Sequence, residues 1–136
     1  MIVCYPSFAR SAVFRRDKGI CAHCGKDTEK VRHKFYSIIL AATKKRRYDV
    51  IKRVVHRYRK NGWPADRYNS RSWWEAHHIH AVVEGGGGTG LDNYETVCVP
   101  CHKNETKKLA RRRAKARRPQ LEMCFEPVIH HNRNKP

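Results

Sequence analysis

Two Cys-x-x-Cys pairs, Cys21/Cys24 and Cys98/Cys101, constrain this chain more than any other feature. Two such pairs supply four thiolates, the complement of a closed tetrahedral zinc site. A fold that uses them must pin an early turn to a segment almost eighty residues downstream. Gly25, directly after the first pair, suits a backbone that turns tightly around a metal. With four thiolates filling the coordination sphere, the site has no open position and its role is structural. His23, inside the first pair, then reads as a loop residue. Cys4 and Cys124 stand alone and read as small buried apolar groups.

The rest of the chain is strongly basic. There are 30 Lys and Arg against 12 Asp and Glu, a formal net charge of +18 on 136 residues. Such a surface attracts polyanions and releases counterions from each phosphate it neutralises. Nucleic acid is therefore the expected partner. Anionic membrane is the rival, but no apolar run is long enough to span a bilayer, and the N-terminus has no apolar stretch of signal-peptide length. The expected location is cytoplasmic, not secreted, with the cysteines reduced and free to bind metal.

Periodicity predicts a short helix from Phe8 to Lys18, capped by Ser7 and stopped by Gly19. Asp27 or Thr28 can cap a second helical stretch that reaches Gly62. Val31, Phe35, Ile38, Ile39 and Ala42 form one apolar stripe there, and Ile51, Val54, Val55 and Tyr58 another. The polar segment Thr43–Asp49 divides them, so this is two helices or one broken one. Lys44, Lys45, Arg46 and Arg47 fall at the division and are candidates for tracking phosphates. The aromatics between Trp63 and Trp74 read chiefly as core. Trp74–Val83 and Tyr94–Cys98 read as short strands around the turn Gly85–Gly88. No Lys-Ser/Thr follows those glycines, which excludes a phosphate-binding P-loop. A helix from Cys101 to Arg118, stopped by Pro119, carries Lys107, Lys108, Arg111, Arg112 and Arg113. Residues 119–136 read as an irregular tail in which His130-His131 has no ligand partner.

One constellation remains: Glu75-Ala-His77-His78-Ile79, the glycine turn, Leu91-Asp92-Asn93, and Cys98-Val-Pro-Cys101-His102. This order resembles the HNH, or ββα-metal, nucleases, and among them the subgroup with four cysteines. The resemblance covers residues 73–108 closely, together with the knuckle at 21–24. It implies an α+β fold: a small ββα-metal (His-Me finger) core with a Cys4 zinc knuckle and an inserted basic helical segment. The implied organisation is a single nuclease domain over 1–136, with the insert at 27–62, the ββα-metal motif at 73–118 and the tail at 119–136.

The resemblance also implies roles. His77 and His102 bind a divalent ion, and His78 is the general base that takes a proton from water. Free imidazole, with a pKa of about 6.5, is suited to that. Asn93 holds the loop and orients His78, and the products carry 5′-phosphate and 3′-hydroxyl ends. Cys101 and His102 are consecutive at a helix start, so their side chains diverge by about 100° and can serve separate ions.

Many family members have Asp where this chain has His77. Two imidazoles without a carboxylate favour Zn2+, Mn2+, Ni2+ or Co2+ on ligand grounds, while availability favours Mg2+ or Mn2+. His80 reads as a surface residue. The expected substrate is DNA, duplex first. One site cuts one strand, so a double-strand break needs a homodimer or successive nicks; no dimer interface is legible. Phage, restriction and mobile-element settings all suit such an enzyme. The competing readings are a non-catalytic zinc-containing nucleic-acid-binding module and an RNA-associated basic zinc protein, neither of which requires the histidine set.

Overall fold

A computed structural model describes residues 6–66 and 72–123, with side chains placed at 7–66 and 72–117. Cys4, Cys124 and His130-His131 lie outside these residues. The order of elements is helix α1 (Pro6–Asp17), α2 (Thr28–Lys44), α3 (Tyr48–Lys60), strand β1 (Trp74–His78), β2 (Tyr94–Cys98) and helix α4 (Val99–Met123). The chain divides into one compact unit to Asn104 and a second from Glu105. The first holds the mixed helix and sheet core; the second is described as the continuing helix to Met123. No helix among the described residues is long and apolar enough to cross a membrane.

Four boundaries differ from expectation, each for a local reason. Ser7 sits inside α1 rather than capping it, because Pro6 already fits the first helical turn, where a missing N–H costs nothing. β1 ends at His78 instead of Val83 because the Asn93 carbonyl and side chain capture the Ile79 and His80 amides and pull the chain into a turn. α4 opens at Val99 because Pro100 likewise fits a first turn. It runs on through Pro119 to Met123, since a proline forfeits one backbone bond and can kink a helix without ending it.

Helices α2 and α3 fill the basic stretch 27–62. Asp27 caps α2, its Oδ1 accepting the Lys30 N–H at 3.0 Å. Thr28, fully buried, donates its hydroxyl to the Gly19 carbonyl at 2.8 Å. The apolar stripes meet as expected: Phe35, Ile39, Ala42 and Ile51 are buried in one core with Trp63, Trp73, Val97, Cys98 and Cys21. Trp73 is its centre, fully buried, stacked on Trp63 at 5.3 Å and against Phe35 at 5.2 Å and Tyr58 at 5.7 Å. The aromatics at 63 and 73–74 are therefore core residues and not base-stacking platforms.

β1 and β2 pair antiparallel, with Trp74 opposite Cys98, His77 opposite Glu95 and His78 opposite Tyr94. Helix α1 clamps this hairpin. Phe14 stacks on Trp74 at 5.3 Å, and the Arg10 guanidinium lies 4.1 Å over the Trp74 ring while donating to its carbonyl and to Glu75. Arg16 donates to the Tyr94 carbonyl, and the Asp17 carboxylate accepts the Thr96 N–H at 2.9 Å. The Arg16 guanidinium beside it, helped by that N–H, holds the Asp17 carboxyl below the usual carboxylate range.

Candidate functional site

Cys21 sits in a tight turn closed by Cys21 N–H to Lys26 O and Gly25 N–H to Cys21 O. Gly25 takes a φ of 67°, a left-handed conformation that glycine adopts without strain. The Ala22 N–H donates to the Thr96 carbonyl at 2.8 Å and so stitches the knuckle to β2. Cys98 ends β2, and Cys101 follows in the first turn of α4. The four sulfurs all lie within 4.8 Å of one another.

Cys24 Sγ and Cys98 Sγ are 3.7 Å apart. A disulfide would bring two sulfurs to about 2.05 Å. Four thiolates at about 2.3 Å from one zinc ion have tetrahedral edges of about 3.8 Å. The donor set and its spacing thus fit zinc. Their protonation fits too. Burial opposes ionisation at Cys21, but backbone N–H groups of Cys98, Cys24 and His23 outweigh it and bring the thiol down to about 7. Burial pushes Cys98 well above the ordinary thiol range and Cys101 up to about 11. One negative sulfur forms readily and its neighbours resist joining it, a conflict that a dication resolves.

His77 lies on the strand face shared with Glu95, half-buried. Its ring centre is 5.3 Å from that of His102, with the ring planes at 76°. An imidazole nitrogen binds an ion at about 2.0–2.1 Å, which puts the ring centre about 3 Å from the ion. Two rings sharing one ion at a tetrahedral angle then stand about 5 Å apart, so the pair has the separation that a common ion requires. Cys101, the neighbour of His102, turns instead to the cysteine cluster.

His78, half-buried at the end of β1, packs its ring on Tyr94 across the hairpin at 4.2 Å. Asn93 bridges the turn behind it. Its Oδ1 accepts the His80 N–H at 2.7 Å, and its Nδ2 faces the His80 carbonyl, the Gly86 carbonyl and Thr89 Oγ1 at 3.1, 3.1 and 2.7 Å. The Ile79 N–H donates to the Asn93 carbonyl at 2.8 Å. Asn93 therefore fixes the backbone immediately after His78. The His80 ring nitrogen meets the Glu84 carbonyl at 2.7 Å, a loop-closing bond. Gly86 lies against this turn, where a β-carbon would overlap the His80 carbonyl oxygen.

Two residues near His77 are absent from the sequence-derived set. His23 Nε2 and Glu95 Oε1 are 2.7 Å apart, and the His23 ring lies edge-on to His77 at 6.2 Å. Pairing the two strands as a hairpin would have put Glu95 opposite His77; no comparable signal existed for His23.

Lys44 to Arg47 form the exposed turn between α2 and α3, with Arg46 at a φ of 52° and Arg47 reaching Asp49. In the second unit Lys107, Lys108, Arg111, Arg112 and Arg113 are exposed along α4, and Lys108 pairs with Glu105 at 2.7 Å.

A family model described as HNH endonuclease matches residues 64–108, the stretch that carries β1, the turn, β2 and the start of α4. Those residues are an HNH endonuclease domain. Curated relatives extend the likeness beyond it. The DNA annealing helicase and endonuclease ZRANB3 of Mus musculus is 31% identical over 122 residues, and that of Homo sapiens 28%. These matches take in 85% of this chain and 11% of each relative, so the chain spans about a ninth of their length. No solved structure gives a significant match. The HNH domain, with its cysteine cluster beyond residue 64 and in the earlier knuckle, corresponds to the α+β architecture expected from the motif order.

Proposed function

We propose that this chain is a metal-dependent endonuclease that hydrolyses DNA phosphodiester bonds, duplex first, with His78 as general base. The observation that carries the reading is the 5.3 Å spacing of the His77 and His102 rings, with His78 next in sequence at the end of the same strand, in a stretch that matches the HNH endonuclease family. The relatives, each named as a DNA annealing helicase and endonuclease, support DNA as the substrate. The half-exposed setting of all three histidines suits a polymer laid across the surface.

A divalent ion held by His77 and His102, Mg2+ or Mn2+ in first place and Zn2+, Ni2+ or Co2+ also compatible with imidazole, would neutralise charge on the phosphate and the departing oxygen. The chain's own groups do the rest. His78 accepts a proton from water as the water oxygen bonds to phosphorus. The bond from phosphorus to the 3′ oxygen breaks, that oxygen takes a proton from solvent, and 5′-phosphate and 3′-hydroxyl ends result. Tyr94 keeps the His78 ring at the strand end, and Asn93 keeps the backbone after it from drifting. The cysteine cluster, loaded with structural zinc, holds His102 in place through its neighbour Cys101. Lys44, Lys45, Arg46 and Arg47, and separately Lys107, Lys108, Arg111, Arg112 and Arg113, neutralise backbone phosphates.

The test is cleavage of a supercoiled plasmid by zinc-loaded protein with added Mg2+ or Mn2+. His78→Ala is expected to lower the nicking rate by about 10²–10⁴-fold with DNA binding unchanged. Binding without cleavage, on duplex, single-stranded and branched DNA alike, would refute the enzyme and leave a nucleic-acid-binding module.

A further inference from the structure

The hairpin register sets Glu95 directly opposite His77, so both side chains leave the same face of the sheet. His23 comes to that face from the knuckle, between two of the cysteines. An ionised carboxylate has no proton to give, so at 2.7 Å His23 Nε2 is the donor and Glu95 Oε1 the acceptor. The pair is partly open to water, with side chains 30% and 22% exposed. The His23 ring then touches His77 edge-on at 6.2 Å, and His77 faces His102 at 5.3 Å. The four residues form one continuous patch built from three segments: the knuckle, the hairpin and the start of α4.

Two neutral imidazoles bring no negative charge to a dication. Ligating histidines are ordinarily backed by a carboxylate that orients them and strengthens the site. Along β1, Glu75 alternates onto the same face as His77, but its carboxylate is already paired with the Arg10 guanidinium at 2.9 Å. Glu95 is the acid that the register sets directly opposite His77.

We propose, resting on the assignment of His77 and His102 as ion ligands, that Glu95 and His23 are positioning residues for that ion. Glu95 supplies the compensating charge next to His77, and His23 keeps the carboxylate turned toward it. The sequence's departure from an acidic ligand at position 77 is thereby offset from the opposite strand.

The test is Mn2+ binding to zinc-loaded protein, followed by calorimetry or by the spin resonance of free Mn2+, with no DNA present. The wild type is expected to bind one Mn2+, and His77→Ala to abolish it. Glu95→Gln and His23→Ala should each weaken binding by about 10–100-fold. The double variant should be no worse than the weaker single one, because the two act as a unit. His23→Gln, whose amide still donates to Glu95, should restore affinity to within a few-fold of wild type. Zinc content and melting temperature should stay at wild-type values in all of them, which a merely structural role would not allow. Wild-type Mn2+ affinity in Glu95→Gln and His23→Ala, with His77→Ala dead, would overturn the positioning role and leave the ion site standing. A His23→Gln variant no better than His23→Ala would overturn it as well. Undiminished binding in His77→Ala would remove the ion site and the proposal together.

Discussion

Replacing Asn93 tests how the turn behind His78 is held. Its Nδ2 has two protons and faces three acceptors, so two bonds are made there at any moment, and Oδ1 makes a third to the His80 N–H. At about 1 kcal/mol net for each satisfied bond, the side chain is worth roughly 3 kcal/mol if sealed from water. Asn93 is half-buried, and water can replace part of this in the variant. Asn93→Ala should therefore cost about 1.5–2 kcal/mol, read from the shift in urea midpoint at unchanged slope. Asn93→Asp separates hydrogen bonding from simple space filling. It has nearly the same shape and keeps the acceptor for His80 N–H, but presents a charged oxygen to two carbonyls where an amide donated. It should be destabilised at least as much as the alanine variant, and the His80 amide should lose hydrogen-exchange protection in both. Asn93→Asp matching the wild type in midpoint and in His80 protection would refute the claim that donation from Nδ2 closes the turn.

Gly86→Ala should lose about 2 kcal/mol or more in the same urea titration, because the added carbon meets a backbone oxygen that cannot swing aside; an unchanged midpoint would show the turn to be looser than the geometry implies. Zinc binding should be steeply pH-dependent. The metal-free Cys98 and Cys101 thiols are held above their ordinary values, so at pH 7 both protons must leave when zinc enters, and affinity falls as pH falls. Calorimetry in buffers of different ionisation enthalpy should find both released, and about one proton or fewer per zinc would contradict this. Replacing Lys44, Lys45, Arg46 and Arg47 with Ala should weaken DNA binding and flatten its dependence on salt concentration, since each lost phosphate contact removes about one unit of slope. An unchanged slope measured by fluorescence anisotropy would clear that turn of any part in the interface.

The cysteine pairs were legible because thiolates at Cys-x-x-Cys spacing have few other uses in so basic a chain, and they fixed which distant segments meet. The stripes of α2 and α3 were legible because Phe35, Ile39, Ala42 and Ile51 follow helical periodicity and are buried accordingly. The end of β1 was not, since Ile79 and Val82–Val83 look like strand residues. They are exposed in the structure because Asn93, distant in sequence, takes the backbone bonds that would have extended the ladder. The neighbourhood of His77 was legible only in part. His102 was marked by its place after Cys101, but Glu95 reaches the site through strand pairing and His23 through a turn whose path depends on metal-ligand geometry. Contacts made by register and by tertiary closure leave no local pattern in composition or spacing.

The pairing of Trp74–His78 with Tyr94–Cys98 carries a wider consequence. Side chains alternate along a strand, so a slip of one residue would send each histidine to the opposite side of the ribbon. The one that now meets Glu95 would meet Tyr94's side instead, and the two would trade environments without any change in composition. The Ala22–Thr96 and Arg16–Tyr94 bonds, which hold β2 at its middle and at its start, therefore do more than add stability. On the proposed roles, the register decides which imidazole is offered to an ion and which is left to accept a proton.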